Sequence, residues 1–340
     1  MSTAKENEPR GIRAVARVAG VSIGTVSNVL NRPERVAPET LRRVHAAMRS
    51  TGFVANRGAA SLRKGRNTTI GLIVPDITNL LFAEVAHGAM EMADRHGYVI
   101  MLATSQGAAE RQLRYVETFE GQRVAGLLMT PVGSAAPVVK HARERGIPVV
   151  VIDDGTPRNT CSVAVDDEFG AQLALGHLFA GTDRRVAVVN GPQRIGQFAR
   201  RRRGAHAAAA SAGRELVEEF VPDVTVFDGA AAAERLLAAH GPIDVFCTSD
   251  LLAIGVALSF RSAGLQLGRD VQLIGYDDID LVAESHLSLS TVRRPKAELG
   301  SAAVELVLRE VGPHADHHHE NRVLTPSLVL RGSTRPARSG

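Results

Sequence analysis

Hydrophobic positions in the first fifty residues recur at helical rather than strand spacing. Val15, Ala16 and Ala19 make one short apolar stripe, and Val26, Val29 and Leu30 make another, with Gly20, Val21 and Ser22 between them. The pattern predicts two helices about a tight turn. Gly20 suits the positive φ at the end of the first helix, and Ser22 is placed to cap the second. Small Ala16 allows close approach, with Val21 and Val26 filling the angle between the helices. An ordinary αα-corner and a helix-turn-helix both fit this spacing. Leu41, Val44 and Met48 form a third stripe behind Pro38 and Glu39, which favour a helix start. Arg42, Arg43 and Arg49 lie off that stripe, which completes a basic three-helix unit with one face free for DNA.

The next segment, 56–66, reads NRGAASLRKGR. Asn56 can cap a helix there, but two turns are marginal in water and Gly58 weakens them further. The expectation is a linker that becomes helical only when held by DNA or a partner chain.

From Thr69 onward, short apolar runs alternate with helical patterns. Strands are expected at 70–74, 98–103, 126–129, 149–153, 162–165, 186–190, 244–249 and 271–276, with helices at 82–96, 110–122 and 137–144 among them. Two such βαβ series predict two lobes built on mostly parallel sheets covered by helices. Ligands bind beyond the carboxyl ends of strands in such sheets. Asp153, Asp250 and Asp277 fall at or just after strand ends, and Arg201 lies in the connection after 186–190. Carboxylates opposed by an arginine fork suit a small polyol or sugar; a helix cap or a surface group is the alternative for any single Asp.

Composition sharpens this picture in two ways. The 340-residue length favours two or three domains, and 44% hydrophobic with 22% charged residues is ordinary for a soluble protein. The net charge of +4 divides into +9 for residues 1–66 and −5 for the rest, which points to a polyanion at the N-terminal end, nucleic acid first. The start of the chain lacks an apolar signal segment and no run spans a membrane, so a cytoplasmic location is expected.

Other clusters have plainer readings. Cys161 and Cys247 are far apart without metal-type spacing and read as reduced structural thiols. His314 and His317 to His319 are metal-like in composition, with a solvated loop as the alternative, and no metal or cofactor is assigned. Arg200, Arg202 and Arg203 read as a solvated basic rim beside Arg201. The pairs Asp153-Asp154, Asp166-Asp167 and Asp277-Asp278 are not shared acid/base sites, because neighbours on an extended chain face opposite ways. No phosphate-binding loop, metal-ligand array or nucleophile elbow marks an enzyme. A solute receptor for a sugar, serving transport, has the same lobes but no use for residues 1–66.

Taken in order, VARVAGVSIGTVSNVLN, VAPETLRRV, GFVANRGAASLR, IGLIVPDITN, RVAGLLM, GIPVVVID, VAVDDEFGAQLALGHL, TSDLLAIGVA, VQLIGYDDID, LSTVRRP and LTPSLVLRGST resemble the LacI/GalR family of bacterial transcription regulators over nearly the whole chain. The resemblance implies an α-helical helix-turn-helix headpiece plus an α/β core, a two-lobed periplasmic-binding-protein-like (type I) fold with parallel sheets. It implies a headpiece at 1–55, a hinge helix or linker at 56–67 and an effector-binding and dimerisation core at 68–336. Lobe 1 would take 68–163 and 292–322, and lobe 2 would take 164–291 and 323–336, with crossings near Ala164, Thr291 and Arg322.

Carried onto this chain, the family's DNA-reading face falls on Ser22, Ile23, Gly24, Thr25, Ser27 and Asn28, with Asn31, Arg35 and Thr40 toward the DNA backbone. Asn56, Ala59 and Leu62 fall in the hinge, where two leucines of a dimer would kink the central base step. The effector pocket falls on Asp76, Asn79, Phe82, Asp153, Gln197, Arg201, Ser249, Asp250 and Asp277. The implied partners are a pseudo-palindromic double-stranded operator, a small effector such as a sugar, and a second copy of the chain. Asn28 stands where many members have arginine, Gly24 presents no side chain, Ala37 replaces a capping Ser or Thr, and Ser249 replaces a common Asn.

Overall fold

The computed structural model describes residues 11–53, 67–153, 159–279, 287–312 and 317–335. The chain divides into two compact units between Asn67 and Thr68. The first holds α1 (Ile12–Ala19), α2 (Ile23–Asn31) and α3 (Pro38–Thr51), with a 3-10 turn at Pro33–Arg35. Val15, Val26 and Val44 are wholly buried at its centre among Ala16, Ala19, Val29 and Ala47. Each buried valine contributes about 1.5 kcal/mol, and the alanines allow the helices to approach closely enough to bury them.

The second unit carries two six-stranded sheets. The first lobe runs β1 (Thr69–Val74), α4 (Leu80–Arg95), β2 (Val99–Thr104), α5 (Ala109–Gly121), β3 (Gly126–Met129), α6 (Ala136–Glu144), β4 (Val149–Ile152) and β5 (Cys161–Val165). The second runs α7 (Asp167–Gly181), β6 (Val186–Asn190), α8 (Gly196–Ser211), β7 (Leu216–Phe220), α9 (Val226–His240), β8 (Asp244–Cys247), α10 (Asp250–Ser262), β9 (Leu273–Asp277) and β10 (Ser290–Arg293). The chain then forms α11 (Lys296–Val311), β11 (Asn321–Leu324) and β12 (Ser327–Val329).

The strand orders are β11-β5-β4-β3-β1-β2 and β12-β10-β9-β8-β6-β7. Every pairing is parallel except β10 with β12. Alternate residues of β1 enter opposite cores, Ile70, Leu72 and Val74 on one face and Ile73 on the other. Two-sided burial explains why these strands read as continuous apolar runs. Helix α11 packs with α4 on the first sheet, although β10, just before it, belongs to the second.

Three crossings join the lobes, each slightly later than the positions that the family resemblance implies. Ala164 and Val165 remain in the first sheet, Thr291 to Arg293 in the second, and Val323 and Leu324 in the first. The chain therefore crosses at Asp166, at Arg294 and Pro295, and at Thr325 and Pro326. Ladder hydrogen bonds keep each strand in its sheet to the end of the register, and apolar periodicity does not mark that end. Edge strands β7 and β12 are half-exposed and partly polar, so they do not stand out as apolar runs.

Candidate functional site

The N-terminal unit presents the second helix of a helix-turn-helix. Gly20 takes φ +63°, which only glycine adopts without strain, and the next amide, Val21 N–H, donates to Ala16 O at 3.0 Å. Ser22 caps α2 by accepting the Thr25 N–H at 3.0 Å, and its hydroxyl meets Thr25 Oγ1 at 2.9 Å. Ile23, Gly24 and Asn28 are exposed, with Thr25 and Ser27 half-buried beside them. Asn31 donates to Ser27 O at 2.8 Å, so its amide is engaged within the helix. Arg35 is exposed and Thr40 is half-buried near the start of α3, where Ala37 supplies no side-chain cap. Arg43, read above only as surface charge, donates to Ala19 O at 2.7 Å and Gly20 O at 3.2 Å, tying α3 to the turn. Asn56, Ala59 and Leu62 lie outside the described residues.

In the core, charged groups converge on the carboxyl ends of the second sheet. Arg201, on α8, is fully buried, with its guanidinium 3.7 Å from the centre of the Tyr276 ring. Its Nε donates to Asp167 Oδ1 at 3.0 Å, Nη1 to Thr248 O at 2.5 Å and Nη2 to Asp277 Oδ1 at 3.2 Å. Arg294, also buried, holds the Asp153 carboxylate of the first lobe. Arg200 donates to Asp167 Oδ2 at 3.0 Å and to Asp153 O at 3.1 Å, and so bridges the lobes. Lys296, at the start of α11, reaches Asp278 O at 2.7 Å and Glu84 at 2.5 Å.

Burial and pairing act on these groups in opposite directions. Burial alone would raise Asp167, but Arg201, Arg294 and Arg200 hold it below the usual carboxylate range. Burial raises Asp277, and Arg201 and Arg294 only partly oppose it. Asp250 is pushed up to about 8 by burial and by Asp277, despite the Thr291 hydroxyl at 2.6 Å and the Ile279 N–H at 3.0 Å. At neutral pH Asp250 is therefore mostly protonated beside the paired aspartates and arginines.

Two further features set this cluster apart from an ordinary buried ion-pair network. Asp153, Asp277 and Asp278 hold left-handed backbone at φ +64°, +114° and +52°, a cost that persists only where the surrounding structure enforces it. Nε and Nη1 of Arg294, the hydroxyl of Tyr276 and both amide atoms of Asn190 are buried with no hydrogen-bond partner among the described residues. Asn190 ends β6 on the face where Val186, Val188 and Tyr276 point, which is also the face that α8 covers. Buried polar atoms without partners are costly, and a hydroxylated ligand satisfies both the donors and the acceptor.

The sequence-derived pocket residues separate into two groups. Asp153, Arg201 and Asp277 meet in the cluster, Asp250 adjoins it, and Gln197 reaches Arg201 at 3.5 Å. Ser249 caps α10 through Leu251 N–H at 3.3 Å. Asp76 closes a turn with Thr78 at 2.9 Å, Asn79 caps α4 through Leu81 N–H at 3.0 Å, and Phe82 is buried in the core of the first lobe. The solvated-rim reading of Arg200 is corrected, because Asp167 and Asp153 engage it. Arg202 and Arg203 are ion-paired to Glu218 at 2.6 Å and Glu168 at 2.5 Å. Arg294 and Asn190 escaped the sequence reading, and Asp167 entered it only as half of a pair rejected as a shared acid/base site. The second arginine of Arg293-Arg294 looks like surface charge until the crossing buries it.

Comparison with known proteins places both units. Residues 11–56 match the model of the bacterial regulatory proteins of the lacI family, and residues 175–334 match a periplasmic binding protein-like domain. The HTH-type transcriptional repressor PurR of Photobacterium profundum is 31% identical over 332 residues, covering 95% of this chain and 98% of that one. The ribose operon repressor of Escherichia coli is 30% identical, covering 95% and 99%. The Lac repressor dimer, solved bound to operator and an anti-inducer, superposes with a TM-score of 0.84 at 24% identity, covering 96% of this chain and 100% of that one.

Proposed function

The chain belongs to the lacI family of bacterial regulatory proteins and is a DNA-binding transcriptional regulator, not an enzyme. From that premise we propose that it is a repressor controlled by a sugar or sugar derivative held between the lobes, at the cluster of Asp153, Arg201, Asp277 and Arg294. The observation that carries this reading is the set of buried, unpartnered polar atoms on Arg294 and Asn190 beside the paired aspartates. Ligand hydroxyls accept from Arg294 and the Asn190 amide and donate to Asn190 Oδ1 or an aspartate. Because Arg200, Arg294 and Lys296 also link one lobe to the other, ligand contacts there alter the relative energy of lobe arrangements.

DNA is read by the exposed side of α2, from Ser22 to Asn28, in a homodimer on a pseudo-palindromic operator. Leu62, with Asn56 and Ala59, supplies the minor-groove contact implied by the family resemblance. The protein acts in the cytoplasm, and among the described residues no helix is long and apolar enough to cross a membrane. A transport receptor shares the two lobes but leaves residues 11–56 without a role.

A thermal-shift screen of the full chain with sugars, sugar acids and nucleosides tests this reading, since a ligand at 100 times its Kd adds about 2.7 kcal/mol. The ligand that raises Tm must also change operator affinity, and operator must change ligand affinity by the same factor. A stabilising ligand that leaves operator affinity unchanged is not the effector. Retained affinity in both Asn190→Ala and Arg201→Lys variants rejects this cleft as its site.

A further inference from the structure

At the opposite end of the first sheet from the cleft, four side chains of metal-ligand type meet. Cys161 opens β5, Glu310 lies in the last turn of α11, and His317 and His319 lie on the approach to β11. Cys161 Sγ lies 3.1 Å from His317 Nε2 and 3.7 Å from His319 Nδ1, and Glu310 Oε2 lies 3.8 Å from His317 Nε2. One ligand atom from each falls within 4.8 Å of all the others. In a tetrahedral zinc site with bonds of about 2.0 to 2.3 Å, ligand atoms stand roughly 3.3 to 3.6 Å apart. The cluster is therefore close to the required size before any ion enters.

The surroundings fit the same chemistry. Glu310 Oε2 is buried and accepts no hydrogen bond among the described residues. The Glu320 backbone N–H points at Cys161 Sγ from 3.5 Å, an outer contact of the kind that orients a metal-bound sulfur. A thiolate, a carboxylate and two neutral imidazoles balance a divalent cation to zero net charge. Four protein ligands leave no open position, which is the arrangement of a structural rather than a catalytic site.

We propose that Cys161, Glu310, His317 and His319 form a binding site for a divalent transition cation of the zinc class. A sulfur ligand with two imidazoles disfavours magnesium and calcium, which take oxygen ligands. The cation fastens the end of α11 and the start of β11 to the start of β5. Both strands lead, at their other ends, into crossings to the second lobe. Coordination replaces the thiol proton of Cys161, which passes to solvent. Arg143 Nη2 now donates to His319 Nε2 at 2.5 Å, so that nitrogen is the acceptor and Nδ1 carries the proton. Binding through Nδ1 moves the proton to Nε2 and displaces Arg143, so Arg143→Ala strengthens metal binding.

The test uses untagged full-length protein stripped with chelator and titrated with Zn2+ and, separately, Co2+. The expected result is one equivalent of zinc per chain with a rise in Tm that chelator reverses. Cobalt gives a thiolate charge-transfer band and the intense visible bands of tetrahedral coordination. Cys161→Ser abolishes the charge-transfer band, whereas Cys247→Ser, at a buried thiol in the second lobe, retains it. His319→Ala, at an exposed ring whose loss leaves the core intact, weakens binding roughly tenfold or more. Failure to bind zinc, a cobalt thiolate band that survives Cys161→Ser, or an unchanged zinc affinity in His319→Ala overturns the site.

Discussion

The guanidinium of Arg294 holds the carboxylate of Asp153 across 141 positions of sequence, with both side chains almost wholly buried. Arg294 stands in the second crossing and Asp153 ends a strand of the first lobe, so the pair fastens the crossing to that lobe. Removing one partner of a buried ion pair costs about 3 to 5 kcal/mol, because the other charge is left unpaired. Arg294→Met should lose about that much, measured by urea denaturation, and adding Asp153→Asn should recover part of it. Simple additivity of the two losses would show that the pair does not act as a unit.

Asp250 links stability to pH. Its carboxyl is pushed up to about 8 by burial and by Asp277, so the folded state keeps a proton that the unfolded chain has released. The stability it contributes is fully present below the ordinary carboxylate range and is lost as pH rises through about 8. Asp250→Asn keeps an uncharged group there, and its Tm should vary less than that of the parent from about pH 5 to pH 8.5. Parallel Tm profiles for the two proteins would contradict the assignment.

Gly275, in β9, lies under that carboxyl. A Cβ at Gly275 would stand 2.1 Å from Asp250 Oδ1 and 3.3 Å from the Ala253 Cβ. Gly275→Ala should cost about 1 to 3 kcal/mol and weaken effector binding, because Asp250 adjoins Asp277 and must move. Isothermal titration with the effector, once it is found, reads the second effect.

Ser22→Ala removes the cap of α2 and should destabilise the N-terminal unit by about 1 kcal/mol. Operator affinity should fall while effector affinity stays the same, since Ser22 belongs to the N-terminal compact unit. A fall in effector affinity in the absence of DNA would refute that separation.

Asn28→Arg should change which operator half-site is preferred, because an arginine paired to guanine contributes about 1 to 3 kcal/mol of discrimination. Selection of binding sites from random DNA, run on both proteins, measures the change. Identical selected sequences would remove Asn28 from the reading face.

The N-terminal unit was legible because its determinants are local. Gly20, Ser22 and the valine spacing act within one or two helical turns, and they predict the turn and the cap that the structure contains. The parallel strands were legible because burial on both faces leaves continuous apolar runs. The charge cluster between the lobes was half legible. Asp153, Arg201 and Asp277 follow from the rule that ligands bind at strand ends, but Arg294, Asp167 and Asn190 carry no local mark. Asp76, Asn79 and Phe82 were placed by resemblance, and here they make a turn, a helix cap and part of the core.

The sequence by itself therefore determined the classes of element, the three-helix basic unit, the two βα series and the family. Each depends on spacing within a few residues, on composition or on motif order. Tertiary structure alone decided which charges meet. Arg294 joins Asp153, and Cys161 joins His317 and His319, only because the crossings and the parallel pairing of β5 with β11 bring distant segments together. Charge pairing is set by distances of a few ångströms in a dry interior, and no periodicity along the chain encodes those distances.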